Sequence, residues 1–237
     1  MSKAIVLKDQ KNNKVFLYFI IGWTVAGLVQ NYFTDISGEE AYYWLFSENP
    51  AWGYLDHPPV IAFIVKLGYR LIPNNLGLRL MILICSILTI IVLRKMLAVK
   101  DDKLYVWILL GLLPVHAGEM LVKTDVPMIL FEATFFFLYK QYLKKDNWKT
   151  AVLLALNITL LILSKYHGVL VVLFTLLSNI RLLRKKSLWA IVGLVMLFML
   201  PHLYWQYLHD FASVKFHLYN RDDLGFEWAN IYGYLVM

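Results

Sequence analysis

The residues best equipped for chemistry gather in four polar stretches between apolar blocks. The first, 34–59, carries Asp35, Glu39, Glu40, Glu48 and Asp56 and no Lys or Arg, and it closes on Asp56-His57-Pro58-Pro59. The second, 116–127, places Asp125 two residues before Pro127. The third is Ser164-Lys165-Tyr166-His167-Gly168, and the fourth, 209–223, offers Lys215, His217 and Arg221. Carboxylates of this kind can take a proton from a hydroxyl, provided they lie within hydrogen-bond reach of it. Lys165, His167 and Arg221 can meet a phosphate, Arg221 bidentately. Each stretch also has a plainer reading. The first is an acidic loop with an interfacial aromatic belt of Tyr42, Tyr43, Trp44 and Trp52. Thr124 or Asp125 caps a helix that Pro127 begins. Lys165 and His167 snorkel, and Arg221 pairs with Asp222, Asp223 or Glu227.

The elements that must hold these stretches are long and apolar. Of 237 residues 60% are hydrophobic and 16% charged, against roughly 25% charged in soluble domains. Spans are expected at 15–33, 76–97, 104–121, 127–142, 148–163, 167–183 and 188–208, since a bilayer core needs roughly 20 helical residues. The segment 59–72 is shorter, with Lys66 and Arg70 four apart, and reads as a helix lying on the membrane. Ser37 or Gly38 is expected to start a short helix with Glu39 and Glu40 in its first turn. The fold class is therefore all-α, a polytopic transmembrane bundle with interfacial helices in the first outer loop.

Charge gives an orientation. The N-terminal tail and the loops after the second, fourth and sixth spans hold four basic residues each, sixteen of the 23. Cytoplasmic loops carry such an excess, so the N-terminus is expected inside and the acidic stretches outside. The net charge of +7 then serves topology and lipid headgroups, not nucleic acid. A single cysteine, Cys85, excludes an intrachain disulfide or a cysteine metal site. No cleavable signal peptide, internal repeat or Gly/Ser- or Pro-rich linker is visible. One domain, 1–237, is expected. Its last apolar run, 231–237, is too short to span, which suggests the N-terminal part of a longer enzyme, about seven spans and the start of an eighth.

The strings Glu39-Glu40-Ala-Tyr-Tyr-Trp44 and Trp52-Gly-Tyr-Leu-Asp-His-Pro-Pro59 resemble the bacterial relatives of protein O-mannosyltransferases, which include the aminoarabinose transferases of lipid A. Thr124-Asp-Val-Pro-Met128 and the run from His209 to Arg221 extend the likeness. The resemblance implies a glycosyltransferase of the GT-C class, similar to glycosyltransferase family 39. Such an enzyme uses a polyprenyl-phosphate sugar donor on the periplasmic side of the bacterial inner membrane and inverts the anomeric centre. Glu39 stands where the family usually has Asp, and the resemblance makes it the base, with Asp35 as substitute. Asp125 matches a second carboxylate that positions acceptor or donor. Asp56-His57 matches a pair beside the donor phosphate, with His57 where some relatives carry Lys. Some relatives bind a divalent metal, which Asp56 and a His could ligate here.

The expected catalytic residues are thus Glu39, Glu40 and Asp125, and the expected phosphate- or substrate-binding residues are Asp56, His57, Lys165 and Arg221. The acceptor is a lipid, glycan or protein hydroxyl. Two other classes compete: a polyprenyl-lipid transporter or flippase, and a non-catalytic lipid-binding membrane subunit. A transporter wants charged groups at the middle of its spans, whereas the acids here lie in the outer loops.

Overall fold

The computed structural model describes residues 3–112 and 120–220, and within them the protein is built of helices with no strand. In chain order these are α1 Lys3–Phe33, α2 Gly38–Glu48, α3 Val60–Leu71, α4 Asn75–Met96, α5 Asp102–Gly111, α6 Asp125–Lys144, α7 Trp148–Ser164, α8 Gly168–Ser178, a 3-10 helix Ile180–Arg184, α9 Lys186–Leu208, α10 Ala212–Lys215 and a π turn Phe216–Asn220. Three are long and apolar enough to cross a bilayer, at Lys14–Phe33, Asn75–Met96 and Lys186–Leu208. Helices α7 and α8 are apolar but shorter.

Two expected spans are interrupted. The helix expected over 104–121 ends at Gly111, and Met120 to Thr124 lie outside any helix. The helix expected over 167–183 stops at Ser178. Asn179 turns to φ −142°, ψ 66°, and the chain continues as the 3-10 helix. The Asn179 amide donates to the Tyr139 hydroxyl of α6, which anchors the break.

Helix α3 is more deeply packed than a helix resting on a membrane. Val60, Ile61, Ala62, Val65 and Gly68 are buried against α2 and α4, while Arg70 is exposed. The α3–α4 approach is close enough to require glycine. A Cβ on Gly77 would lie 1.7 Å from the Ile72 carbonyl oxygen, and one on Gly68 would lie 2.3 Å from the Gly77 carbonyl oxygen. Gly77→Ala must push the two helices apart. It is expected to cost about 1–3 kcal/mol, the usual range for overpacking, read as a lower melting temperature in detergent. An unchanged melting temperature would show that the contact opens freely.

Among the described residues the bundle has three apolar clusters. One joins α1, α4 and α5 through Trp23, Leu83, Ile90, Tyr105 and Leu109. One joins α2, α3, α4 and the start of α6. The third joins α6, α7 and α9 through Phe135, Tyr142, Leu154, Ile158 and Ile191. At the end of α4, Arg94 forks onto Asp102 with two bonds of 2.7 Å, closing the α4–α5 turn.

Candidate active site

Helix α2 sets the first loop. Ser37 caps it: its hydroxyl accepts from the Glu40 amide, and the Glu40 carboxylate accepts from the Ser37 amide at 2.9 Å. This reciprocal pair fixes the helix start. Glu39 and Glu40 then diverge. Glu39 is exposed, and its Oε1 accepts from the Tyr43 hydroxyl at 3.4 Å. Glu40 is 1% exposed. Its two oxygens take Arg79 Nε and Nη2, both at 2.6 Å, and Oε1 also accepts the Val122 amide at 3.1 Å.

Arg79 of α4 is fully buried, and every one of its donors is used. Beyond Glu40 it donates to the backbone carbonyls of Asn31, Thr34 and Asp35. A guanidinium has five N–H donors in a planar fork, and this site meets all five. Burial alone would raise the Glu40 carboxyl. The Arg79 hydrogen bonds, the Ser37 and Val122 amides and the Arg79 charge outweigh it and hold the group below its ordinary value. Glu40 thereby ties the end of α1, helix α2, helix α4 and the strand of backbone leading to Asp125 into one unit.

Tyr43 is buried at 3% exposure, and its hydroxyl is a crossing point. Besides Glu39 it lies 3.2 Å from His57 Nε2. Burial first, then the charge of Glu39, push this phenol well above its usual range, so it stays protonated. His57 Nδ1 faces Asp56 Oδ2 at 2.8 Å, and the Tyr42 hydroxyl donates to Asp56 Oδ1 at 3.0 Å. Burial would raise Asp56, but the adjacent His57 and the bond from Tyr42 prevail and keep it below the ordinary carboxylate value. Burial and Asp56 push the Tyr42 phenol up to about 12.

Asp125 opens α6. Thr124 makes no side-chain capping bond there. The Asp125 carboxylate instead meets Lys165, the C-cap of α7, at 2.6 Å, with both side chains part-exposed. Sequence reasoning gave these two residues separate tasks, and the fold makes them partners.

The loop between α2 and α3 is clamped from the far end of the chain. The Tyr54 ring stacks on Phe46, with centroids 3.9 Å apart. His202 Nδ1 contacts the Trp52 carbonyl oxygen at 2.6 Å, the Ser213 hydroxyl donates to the Tyr54 carbonyl, and His217 Nε2 contacts the Asp56 carbonyl oxygen at 3.0 Å. A Cβ on Gly53 would lie 2.4 Å from the Trp205 ring. Asp210 and Phe211 both have φ near +54°. That costly left-handed pair turns the chain sharply so that α10 and the π turn reach the loop.

Glu39 and His57 thus meet at the Tyr43 hydroxyl, Asp56 stands beside His57, and Asp125 and Lys165 form a pair of their own at the start of α6. Arg221 lies outside the described residues. Among the described residues no three His, Cys, Asp or Glu side chains are set to hold a metal ion. Sequence reasoning missed Arg79, Tyr43 as a buried link, and His202. The available signal for Arg79 was one guanidinium within an otherwise apolar block, since ionisable groups there are costly.

Residues 56–205 match the family described as dolichyl-phosphate-mannose-protein mannosyltransferase. Lipid A galacturonosyltransferase RgtD of Rhizobium johnstonii is 25% identical over 211 residues, which is 84% of this chain and 45% of that relative. The chain therefore spans about half the length of this curated relative. No solved structure matches. With its helical membrane fold, the chain belongs to the dolichyl-phosphate-mannose-protein mannosyltransferase family, membrane glycosyltransferases of the GT-C type.

Proposed function

We propose that this chain carries the catalytic loops of a glycosyltransferase that moves a sugar from a polyprenyl-phosphate donor to an acceptor hydroxyl outside the cytoplasm, with inversion. The observation that carries this reading is the gathering of an exposed carboxylate, Glu39, with the Asp56–His57 and Asp125–Lys165 pairs at one end of the bundle. In this reading the bacterial inner membrane holds the chain with its N-terminus cytoplasmic and this end periplasmic.

Glu39 takes the proton of the acceptor hydroxyl. The freed oxygen attacks the anomeric carbon from the face opposite the phosphate. A new carbon–oxygen bond forms, the bond to the phosphate oxygen breaks, and polyprenyl phosphate leaves with the electron pair. Tyr43 holds the Glu39 carboxylate by donating to it. Lys165, oriented by Asp125, and His57, oriented by Asp56, offset the charge on the leaving phosphate. Charge stabilisation of this kind is worth most in a site already organised before reaction. Arg221 is a further phosphate ligand in this scheme. Glu40 positions rather than reacts, because both its oxygens are occupied. The relative's name makes lipid A the first acceptor to try and galacturonic acid the first sugar.

The test is transfer of labelled sugar from polyprenyl-phosphate donors by the protein in lipid. Asp125→Asn is expected to lower transfer and to raise the donor KM, because Lys165 loses the carboxylate that orients it. Lys165→Gln is expected to raise the donor KM about tenfold or more, the worth of one charge-assisted bond. Donor binding with no transfer to any acceptor, in wild type and variants alike, would favour a lipid-binding subunit. A donor KM unchanged in Lys165→Gln would remove Lys165 from the phosphate site.

A further inference from the structure

The bundle has a second built feature, which runs from Ile162 and Val169, near Lys165, toward the end away from Glu39. Helices α6, α7, α8 and α9 enclose a cavity of about 270 Å³ whose lining is almost wholly apolar. Leu154, Ile158, Val172, Leu176 and Ile191 form its walls, and Tyr142, Leu182 and Leu188 form the end remote from Lys165. A cavity so lined has no polar partners for water.

The 3-10 helix at that end presents three faces, because residues i and i+3 eclipse at three per turn. Leu182 points inward, 3% exposed, and lines the cavity. Ile180 and Leu183 share a second face and are 64% and 48% exposed. Arg181 and Arg184 share the third, and both are exposed. Among the described residues neither Arg181, Arg184 nor Lys186 has a hydrogen bond or ion pair to the protein. The neighbouring acid, Asp146, is already engaged by the Ser187 hydroxyl at 2.6 Å and faces Lys185 at 3.8 Å. Lys144, Lys145 and Lys149 on the α6–α7 turn add exposed positive charge. Trp189, 60% exposed, donates its indole N–H to the Leu183 carbonyl and suits a membrane interface.

We propose that this end of the bundle binds one anionic phospholipid, with an acyl chain in the α6–α9 cavity and the phosphate against Arg181 and Arg184. The argument is complementarity. Guanidiniums without a partner among the described residues fit a phosphate in a fork, and they flank Leu182, whose side chain lines the apolar cavity. Basic side chains beside a membrane draw anionic lipid, which selects the headgroup. The cavity adds the tail. A sugar donor would instead bring its phosphate to Lys165, at the other end.

Native mass spectrometry of the full chain released from detergent tests this, with phosphatidylglycerol and phosphatidylcholine of identical chains. The wild type is expected to retain phosphatidylglycerol at least tenfold better. R181Q/R184Q, both changes on exposed residues, is expected to erase that preference while phosphatidylcholine retention stays as it was. Val172→Phe, which fills the cavity, is expected to lower retention of both lipids. Equal retention of the two lipids by wild type, or a preference that survives R181Q/R184Q, would overturn the proposal. Retention untouched by Val172→Phe would overturn it too, by reducing the effect to surface attraction. One-for-one displacement of phosphatidylglycerol by polyprenyl phosphate would give the cavity to the donor instead. The readout is binding alone, so it stands or falls apart from sugar transfer.

Discussion

Glu39→Gln is expected to lower sugar transfer by about 10²- to 10⁴-fold, the usual contribution of a positioned proton acceptor, while the protein stays folded and inserted. The side chain is exposed, and its one described bond is the 3.4 Å contact from Tyr43. An amide of the same shape keeps that contact, because its carbonyl oxygen still accepts. What it loses is the ability to take a proton. The melting temperature should therefore stay within about 0.5 kcal/mol of wild type in stability, as for most surface changes. Glu39→Asp should recover part of the rate, since the acid survives and only its reach shortens. Full transfer by Glu39→Gln would pass the base to Asp35, the other exposed carboxylate beside the cap of α2.

The contrast between Glu39 and its neighbour marks what the sequence made legible. Ser37 followed three residues on by Glu40 is a helix-start signal that needs no tertiary knowledge, and the helix begins there. The apolar blocks likewise predict α1, α4 and α9 because their signal lies within one run of residues. Position within that helix could not reveal that Glu39 faces out while Glu40 faces Arg79. That difference comes from a partner 39 residues away in sequence. Tyr43 read as one of several interfacial aromatics, yet it is buried, since the loop folds back to bring His57 beneath it. The clamp of Trp52 by His202 crosses 150 residues, and no local pattern encodes it. The Asp56–His57 contact was legible because the two are adjacent. The helix ends at Gly111 and Ser178 were missed by hydropathy, which registers apolar length and is blind to a local turn such as the one at Asn179.

The Arg79–Glu40 pair should show the largest stability effect in the chain. Arg79→Leu leaves a buried carboxylate with no counter-charge, and removing one partner of such a pair costs about 3–5 kcal/mol. Glu40→Gln strands the guanidinium in the same way. The double variant is expected to lose less than the sum of the two, because the unpaired charge disappears with its partner. It will not return to wild type, since the Ser37 and Val122 amides lose the carboxylate they share. Additive losses in denaturant unfolding would show that the two charges are not coupled. The pH dependence has a definite sign. Glu40 is held below its ordinary value of 4.5 in the folded chain, so its stabilisation is complete above that pH and falls away as pH drops through the lower folded value. Glu40→Gln should lack that acid-side loss. The same pair bears on chemistry through Val122, three residues before Asp125. A chain that survives Arg79→Leu should therefore lose rate through a displaced Asp125–Lys165 pair, and donor KM should rise with the fall in kcat.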